Sequence, residues 1–416
     1  MARFLYNIAI HLYGFIIFIL TPFNKKATLW IKGRRNWAKR LSKALPAGKR
    51  IIWMHVASLG EYEQGRPVLE QIRKQFPNHF ILLTFFSPSG FVNMKNKEIV
   101  DLKFYLPLDT AHNANVFCEL VALELVLFVK YDFWFNLLYQ LNKRKINYMF
   151  ISAIFREDQF FFKWYGKWAS KLIFNAQVVH VQNQASAEIL KTKGIHNYKL
   201  SGDTRFDRVV AIAKSRTEIT GIREWIGGRL CLVAGSTWPV DDEMLIAWIN
   251  AQSEQVCLIV AQHQIHSEAF LSKSKIYPNL KTVKWTDGAL NAKTSAQILL
   301  IDSIGLLSSI YAYASLAYVG GGFGSGIHNV LEAAVYYIPV VIGPNYTKFS
   351  EAVRLKDEGG LNVVNNADEL RSILNRLLND ENLRNEQGLI CGKFVRDNQG
   401  ATAKIFEDIS RLLHDS

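Results

Sequence analysis

Cysteine is scarce in this chain: Cys118, Cys231, Cys257 and Cys391 are the four in 416 residues, and none sits in a C-x-x-C pair. That excludes a disulfide framework and a zinc knuckle, and it predicts a reducing compartment. No Gly-Lys-Ser/Thr closes a Walker loop, no G-x-S-x-G elbow is present, and no short repeat or low-complexity tract recurs. Acidic residues run short, 36 Asp and Glu against 49 Lys and Arg, which leaves a net charge of +13 and favours an anionic partner. Nucleic acid is not that partner, because the basic residues pool in one segment and no aromatic-interleaved nucleic-acid motif accompanies them. With 49% hydrophobic and 20% charged residues the chain is globular, and its length predicts two domains.

The one long apolar run is at the N-terminus. Residues 4–20, FLYNIAIHLYGFIIFIL, are interrupted only by Asn7 and His11 among apolar and small residues, and a basic cluster follows: Lys25, Lys26, Lys32, Arg34, Arg35, Lys39, Arg40 and Lys43. A secretory signal would carry its charge before the apolar core and end in a small-residue cleavage site. Here the order is reversed, which predicts a membrane anchor that either spans briefly or lies in the interface, with the main chain on the cytoplasmic side. A buried first helix of the globular body is the alternative.

After Gly48, apolar runs alternate with amphipathic stretches. Strands are predicted at RIIWMHVAS, HFILLTFF, LKFYLP, LELVLFV, INYMFIS, AQVVHVQN and NYKLSG, with helices at 63–76, 111–120, 133–141 and 158–172. The pattern restarts after a helix-prone link at 211–223 with RLCLVAGS, VCLIVAQ, KTVKW, AQILLID, LAYVGG and IPVVIG, and a helical stretch over 368–413 closes the chain. Strands and helices in this rhythm imply βαβ units, hence two doubly wound α/β domains facing a central cleft. The segments are an anchor at 1–45, a first domain at 46–215 and a second at 216–416, with the last helix a candidate to cross back to the first.

Ligands of such sheets bind at the carboxyl ends of strands. In the second half, VGGGFGSGIHNVLEAA carries Gly320, Gly321, Gly322, Gly324 and Gly326 ahead of a helix expected to open near residues 327–329. That arrangement suits a phosphate, or else makes only a tight turn. His328 and Glu332, four apart, would share a face of that helix, with Glu332 placed for a ribose or simply complementing the dipole. Lys348, after IPVVIGP, is either an anion contact or a solvated charge. The pair His263 and His266 has metal-like spacing without a Glu base or third ligand, so no metal is expected. In the first half Gly60 permits a sharp turn into a helix, and Glu61 behind it is held ionised by the dipole, available as a proton acceptor or employed only as a cap.

Taken together and in order, HVASLGE, YLPLDT, GDTRFD, AGSTW, VGGGFGSGIHNVLEAA and IPVVIGP resemble the 3-deoxy-D-manno-octulosonic acid (Kdo) transferase family of lipopolysaccharide inner-core synthesis. The resemblance implies a GT-B fold of two Rossmann-like domains and an inverting glycosyltransferase that moves Kdo from CMP-Kdo to a lipid A precursor at the inner membrane, without cofactor or metal. It implies Glu61 as general base, with Ser58, Gly60 and Asp132 on the acceptor side. It implies Ser236, Thr237, His263, Gly321, Gly322, Gly326, His328, Asn329, Glu332, Arg205 and Lys348 on the donor side, Arg205 standing where the family has a lysine. Departures occur at QHQIH, which lacks the family's arginines, at DSIGLL, where Leu306 replaces an acid, and at KYDFWFN, where Lys130 replaces an acid. Alternatives are another GT-B enzyme using a UDP-sugar, either a transferase or an epimerase, and a non-catalytic membrane-tethered nucleotide- or lipid-binding module.

Overall fold

The structure, a computed structural model, describes residues 2–94, 98–288 and 296–414. By its contacts the chain divides into two compact units, Met1–Arg208 with Gln399–Ser416, and Val209–Asn398. In the first, β1 (Ile51–Val56), β2 (Phe80–Phe85), β3 (Leu102–Tyr105), β4 (Leu123–Val129), β5 (Asn147–Ala153), β6 (Val178–Val181) and β7 (Tyr198–Leu200) form one sheet. Its order is β3-β2-β1-β4-β5-β6-β7 and every pairing is parallel. Strands of a sheet covered on both faces should be apolar throughout, and all six residues of β1 are buried. Ile51 and Trp53 enter one core layer, while Ile52, Met54 and Val56 enter the other. The closing helix Ala401–His414 supplies Ile405, Ile409 and Leu413 to that second layer, and Asp207 accepts its first amides from Gly400 and Thr402, both at 2.7 Å.

The second unit repeats the plan with β8 (Leu230–Thr237), β9 (Val256–Gln262), β10 (Thr282–Lys284), β11 (Ile298–Ile301), β12 (Leu316–Val319), β13 (Val340–Ile342) and β14 (Leu361–Val363). The order is β10-β11-β9-β8-β12-β13-β14, again parallel throughout. Each sheet therefore has a switch point beside its first strand, between β1 and β4 and between β8 and β12. There, neighbouring strands send their connections to opposite sides and open a crevice at their carboxyl ends.

Every strand read from the sequence is present; β14, only three residues long, is the addition. Two helices differ. The expected helix over 158–172 is replaced by 3₁₀ turns at Phe160–Phe162 and Trp164–Gly166, and helix begins only at Lys167. The helix expected after the glycine loop is a single turn, Leu331–Ala334, so His328 precedes it and shares no helical face with Glu332. Asn329 Oδ1 accepts the Leu331 amide at 3.2 Å and starts the turn late, and Tyr337 in left-handed backbone (φ 62°) ends it early.

The N-terminal helix, Ala2–Ile19, is tied to the first unit along one side. Tyr6 donates to Asp109 at 2.7 Å, Arg3 donates to Asn136 at 3.2 Å, and Asn136 donates to Asn7 at 2.9 Å. At Gly14 an added Cβ would lie 2.7 Å from Leu108. The other side exposes Phe4, Ile8, Leu12, Phe15 and Ile19, so the helix is not buried in the core. Among the described residues no helix is long and apolar enough to cross a membrane. One residue leaves the basic cluster: Arg34 is buried, donates to Leu106 O at 2.7 Å and Phe86 O at 2.8 Å, and stacks over Trp30.

Candidate active site

At the first switch point β1 ends and Ser58 caps the helix Leu59–Gln75. Glu61 Oε2 accepts the amides of Ala57 at 2.5 Å and Ser58 at 3.1 Å, and Ser58 Oγ accepts the Glu61 amide at 3.4 Å. This is a complete capping box, so the capping role weighed from sequence is present. Both bonds of the carboxylate fall on Oε2, and the cap makes no use of Oε1. Glu61 is 8% exposed. Burial pushes its carboxyl above the usual range, against the opposing pull of the Ala57 amide, Lys130 and the Ser58 amide.

Asp132 arrives from the loop after β4. Burial and then the charge of Glu61 hold it well above the ordinary aspartate range, with Lys130 pulling the other way. A carboxylate beside a second buried carboxyl disfavours a second negative charge there. Behind them His55 is fully buried, its Nε2 3.4 Å from Asp132 and its Nδ1 2.8 Å from Thr84 Oγ1, which also accepts from Trp53 at 2.8 Å. Burial brings His55 down to about 3, so it is neutral. Lys130 adopts left-handed backbone (φ 63°), as do Ser152 (φ 53°) at the end of β5 and Ser236 (φ 55°) at the end of β8. Non-glycine residues in that region store strain, and they gather where a structure holds side chains for use.

Arg205 also lies in this unit. Asp203 binds it through its guanidinium at 2.7 Å and through its amide at 2.9 Å, and Gln64, one turn beyond Glu61, donates to Asp203 at 3.0 Å. The GDTRFD segment thus docks on the helix that carries Glu61.

The second switch point assembles most of the remaining residues. Gly320–Gly326 is reached from β12 and runs past the end of β8: a Cβ on Gly320 would meet Ser236 O at 2.6 Å and Thr237 Cα at 2.7 Å. Gly321 adopts φ 92°, and its amide donates to Asp241 at 3.1 Å. Asp241, buried at the third position of the helix Pro239–Asn250, also accepts from Tyr318 at 2.5 Å and from the Trp238 amide at 2.8 Å. The loop closes partly on itself, because the amides of Gly324 and Gly326 donate to Gly321 O and that of His328 to Gly320 O. Those three amides do not form an open phosphate cradle, and a one-turn helix adds little dipole. Asn345 donates to Gly324 O at 2.9 Å and pins the following turn, on which Lys348 is exposed.

Beside the loop stand three stacked rings. Trp238 lies 4.8 Å from His263, and His263 lies 4.4 Å from His328, with interplanar angles of 20° and 28°. Trp238 Nε1 donates to His328 Nε2 at 3.3 Å. Burial, then His263, takes His328 down to about 4, which keeps it neutral and able to accept. Asn329 donates to Glu332 at 3.2 Å. Ser236, Thr237, His263, Gly321, Gly322, Gly326, His328, Asn329, Glu332 and Lys348 are therefore neighbours along one strand-end region. Sequence reasoning assigned no role to His55, Gln64, Trp238 or Asp241. The signal for Trp238 was present in AGSTW; the others are buried polar residues whose partners lie far along the chain.

Residues 35–208 match the family model described as 3-Deoxy-D-manno-octulosonic-acid transferase (kdotransferase). A 3-deoxy-D-manno-octulosonic acid transferase of Haemophilus influenzae is 28% identical over 373 residues, 86% of each chain. One from Rickettsia bellii is 24% identical over 423 residues, 99% of this chain and 97% of that one. The crystal structure of Acinetobacter baumannii MurG superposes with a TM-score of 0.55 at 13% identity, over 87% of this chain and 99% of that one. That likeness is one of fold alone and gives two Rossmann-like parallel-sheet domains of the GT-B class. The chain thus carries a domain matching the 3-deoxy-D-manno-octulosonic acid transferase family over residues 35–208 and is similar to transferases of that name over nearly all of its length.

Proposed function

We propose that the protein is an inverting glycosyltransferase that moves Kdo from CMP-Kdo to a lipid A precursor of the lipid IVA type. The observation that carries this reading is Glu61, buried at the switch point of the first sheet beside Asp132, inside the segment that matches the family model. Glu61 Oε1, left out of the cap, takes the proton of an acceptor hydroxyl. The freed oxygen attacks the anomeric carbon of Kdo, and the bond from that carbon to the phosphate oxygen breaks on the opposite face. CMP departs with the electron pair. General-base help of this kind is worth about 10²–10⁴-fold. The leaving phosphate is already an anion, so the reaction as written needs no metal.

On the donor side, the Trp238–His263–His328 stack supplies an aromatic surface for the nucleotide, Glu332 and Asn329 supply polar groups for a ribose, and Lys348 supplies positive charge for the phosphate. Glycines let that loop come close to a ligand. Arg205, fixed by Asp203, serves the negative substrates from the first unit.

We place the enzyme at the inner membrane with its domains on the cytoplasmic side, the N-terminal helix lying in the interface. Support comes from the apolar outer side of that helix and from the exposed cations Lys25, Lys26, Lys32, Arg35, Lys39, Arg40 and Lys43 behind it. Near an anionic leaflet each such cation is worth about 1 kcal/mol.

The test is incubation of membranes holding the protein with CMP-Kdo and a tetra-acyl lipid A precursor, followed by mass spectrometry of the lipid. A lipid heavier by Kdo, with CMP released, is the expected product. Unchanged lipid with intact CMP-Kdo, or transfer from a UDP-sugar instead, would overturn the assignment.

A further inference from the structure

The segment FFFKWYGK, 160–167, departs most from its local sequence expectation, and it departs in a built way. Two consecutive 3₁₀ turns form a tip: the Lys163 amide donates to Phe160 O at 3.0 Å and the Gly166 amide to Lys163 O at 2.9 Å. At Gly166 a Cβ would lie 2.0 Å from Phe160 O, so only glycine lets the turns close. The base of the tip is rooted in the core, with Phe161 buried and packed on Phe133 at 5.2 Å and Phe155 at 6.1 Å. Its end faces outward: Trp164 is 83% exposed and Tyr165 54%, between Lys163 and Lys167, both exposed. A fixed backbone that holds a tryptophan in water keeps roughly 150–250 Å² of ring surface available for burial elsewhere.

The tip adjoins the N-terminal helix through continuous aromatic packing. Tyr6 contacts Phe135 at 5.2 Å and Trp168 at 6.2 Å, and Phe135 contacts Phe160 at 5.6 Å. Trp and Tyr flanked by Lys are the side chains that settle at headgroup level. We infer that the 160–167 tip is a second membrane contact, one that inserts Trp164 and Tyr165 into an anionic lipid surface beside the N-terminal helix. The inference rests on the membrane reading given above. An apolar or aromatic protein partner would not require the cations on either side of the rings; an anionic bilayer does.

All four native cysteines are buried, so full-length Trp164→Cys and Phe15→Cys proteins can each carry one environment-sensitive fluorophore. They are mixed with phosphatidylethanolamine vesicles containing phosphatidylglycerol, and with neutral phosphatidylcholine vesicles. The inference predicts blue-shifted emission at both positions, quenched by lipids brominated in the upper acyl chain, and stronger with anionic vesicles. In unlabelled protein, Trp164→Ser should weaken vesicle binding about tenfold or more with an unaltered circular dichroism spectrum, while Trp164→Phe retains most of it. A shift at position 15 alone would overturn the second contact and leave the helix reading intact. No shift at either position would overturn both. A shift at 164 that needs no lipid and grows with protein concentration would assign the tip to a second copy of the chain and overturn the inference.

Discussion

Glu61 closes its capping box through Oε2 alone, and the proposed base role falls to Oε1, so substitutions can separate the two. The cap fixes the start of the helix Leu59–Gln75; proton removal is the role proposed for the other oxygen. Glu61→Gln keeps an acceptor for the cap but cannot take a proton, so transfer should fall about 10²–10⁴-fold with CMP-Kdo affinity unchanged, measured by turnover and calorimetry. Ser58→Ala should cost about 1 kcal/mol of stability by denaturant titration. Because burial raises the Glu61 carboxyl, the base is lost as pH falls through a value above the ordinary glutamate range, and the acid limb of the kcat profile should lie there. Asp132→Asn imitates a protonated carboxyl beside Glu61 and should leave that limb in place while removing the ionisation of Asp132, which lies above the ordinary aspartate range. Trp238→Ala should weaken CMP binding by about fivefold to a hundredfold, the worth of one base–aromatic stack. In the sequence Glu61 was visible because glycine, carboxylate and strand end coincide within a few residues. His55 and Asp241 were not, since what marks them is burial against distant partners, Asp132 for one and Gly321 for the other.

Alternating apolar runs made the strands legible, because a strand covered on both faces has no polar residue to spare. Their order in each sheet was not legible; it follows from long-range pairing such as β1 beside β4 and β8 beside β12. The helices that came out shorter than expected, over 158–172 and after the glycine loop, were cut back by local turn chemistry: Gly166 lets the first fold into tight turns, and Asn329 with Tyr337 trims the second. The glycine loop is where an element's backbone, not its side chains, carries the design. Gly321→Ala places a Cβ 2.6 Å from Gly326 O at φ 92° and should cost about 1–3 kcal/mol, seen as a lower Tm together with weaker CMP binding.

At the scale of the molecule, the proposed membrane reading gives the charge excess of +13 and the exposed apolar side of the N-terminal helix one use, contact with an anionic surface. Vesicle binding should weaken as salt rises, since exposed charges are screened within about 10 Å at 0.1 M. The chain's return to its first unit matters for folding as well as topology. Without residues 399–416, the layer formed by Ile52, Met54 and Val56 would lose the cover of Ile405, Ile409 and Leu413, so a chain ending at 398 should aggregate or unfold at lower denaturant. On the proposed reading, the two switch-point regions divide the work of one reaction, with proton removal assigned to the first unit and nucleotide binding to the second. The most direct test of that division is the rate of Kdo transfer by Glu61→Gln protein under saturating CMP-Kdo, measured against wild type. A rate lowered by about 10² or more at unchanged CMP-Kdo affinity is the predicted result, and a wild-type rate would contradict it.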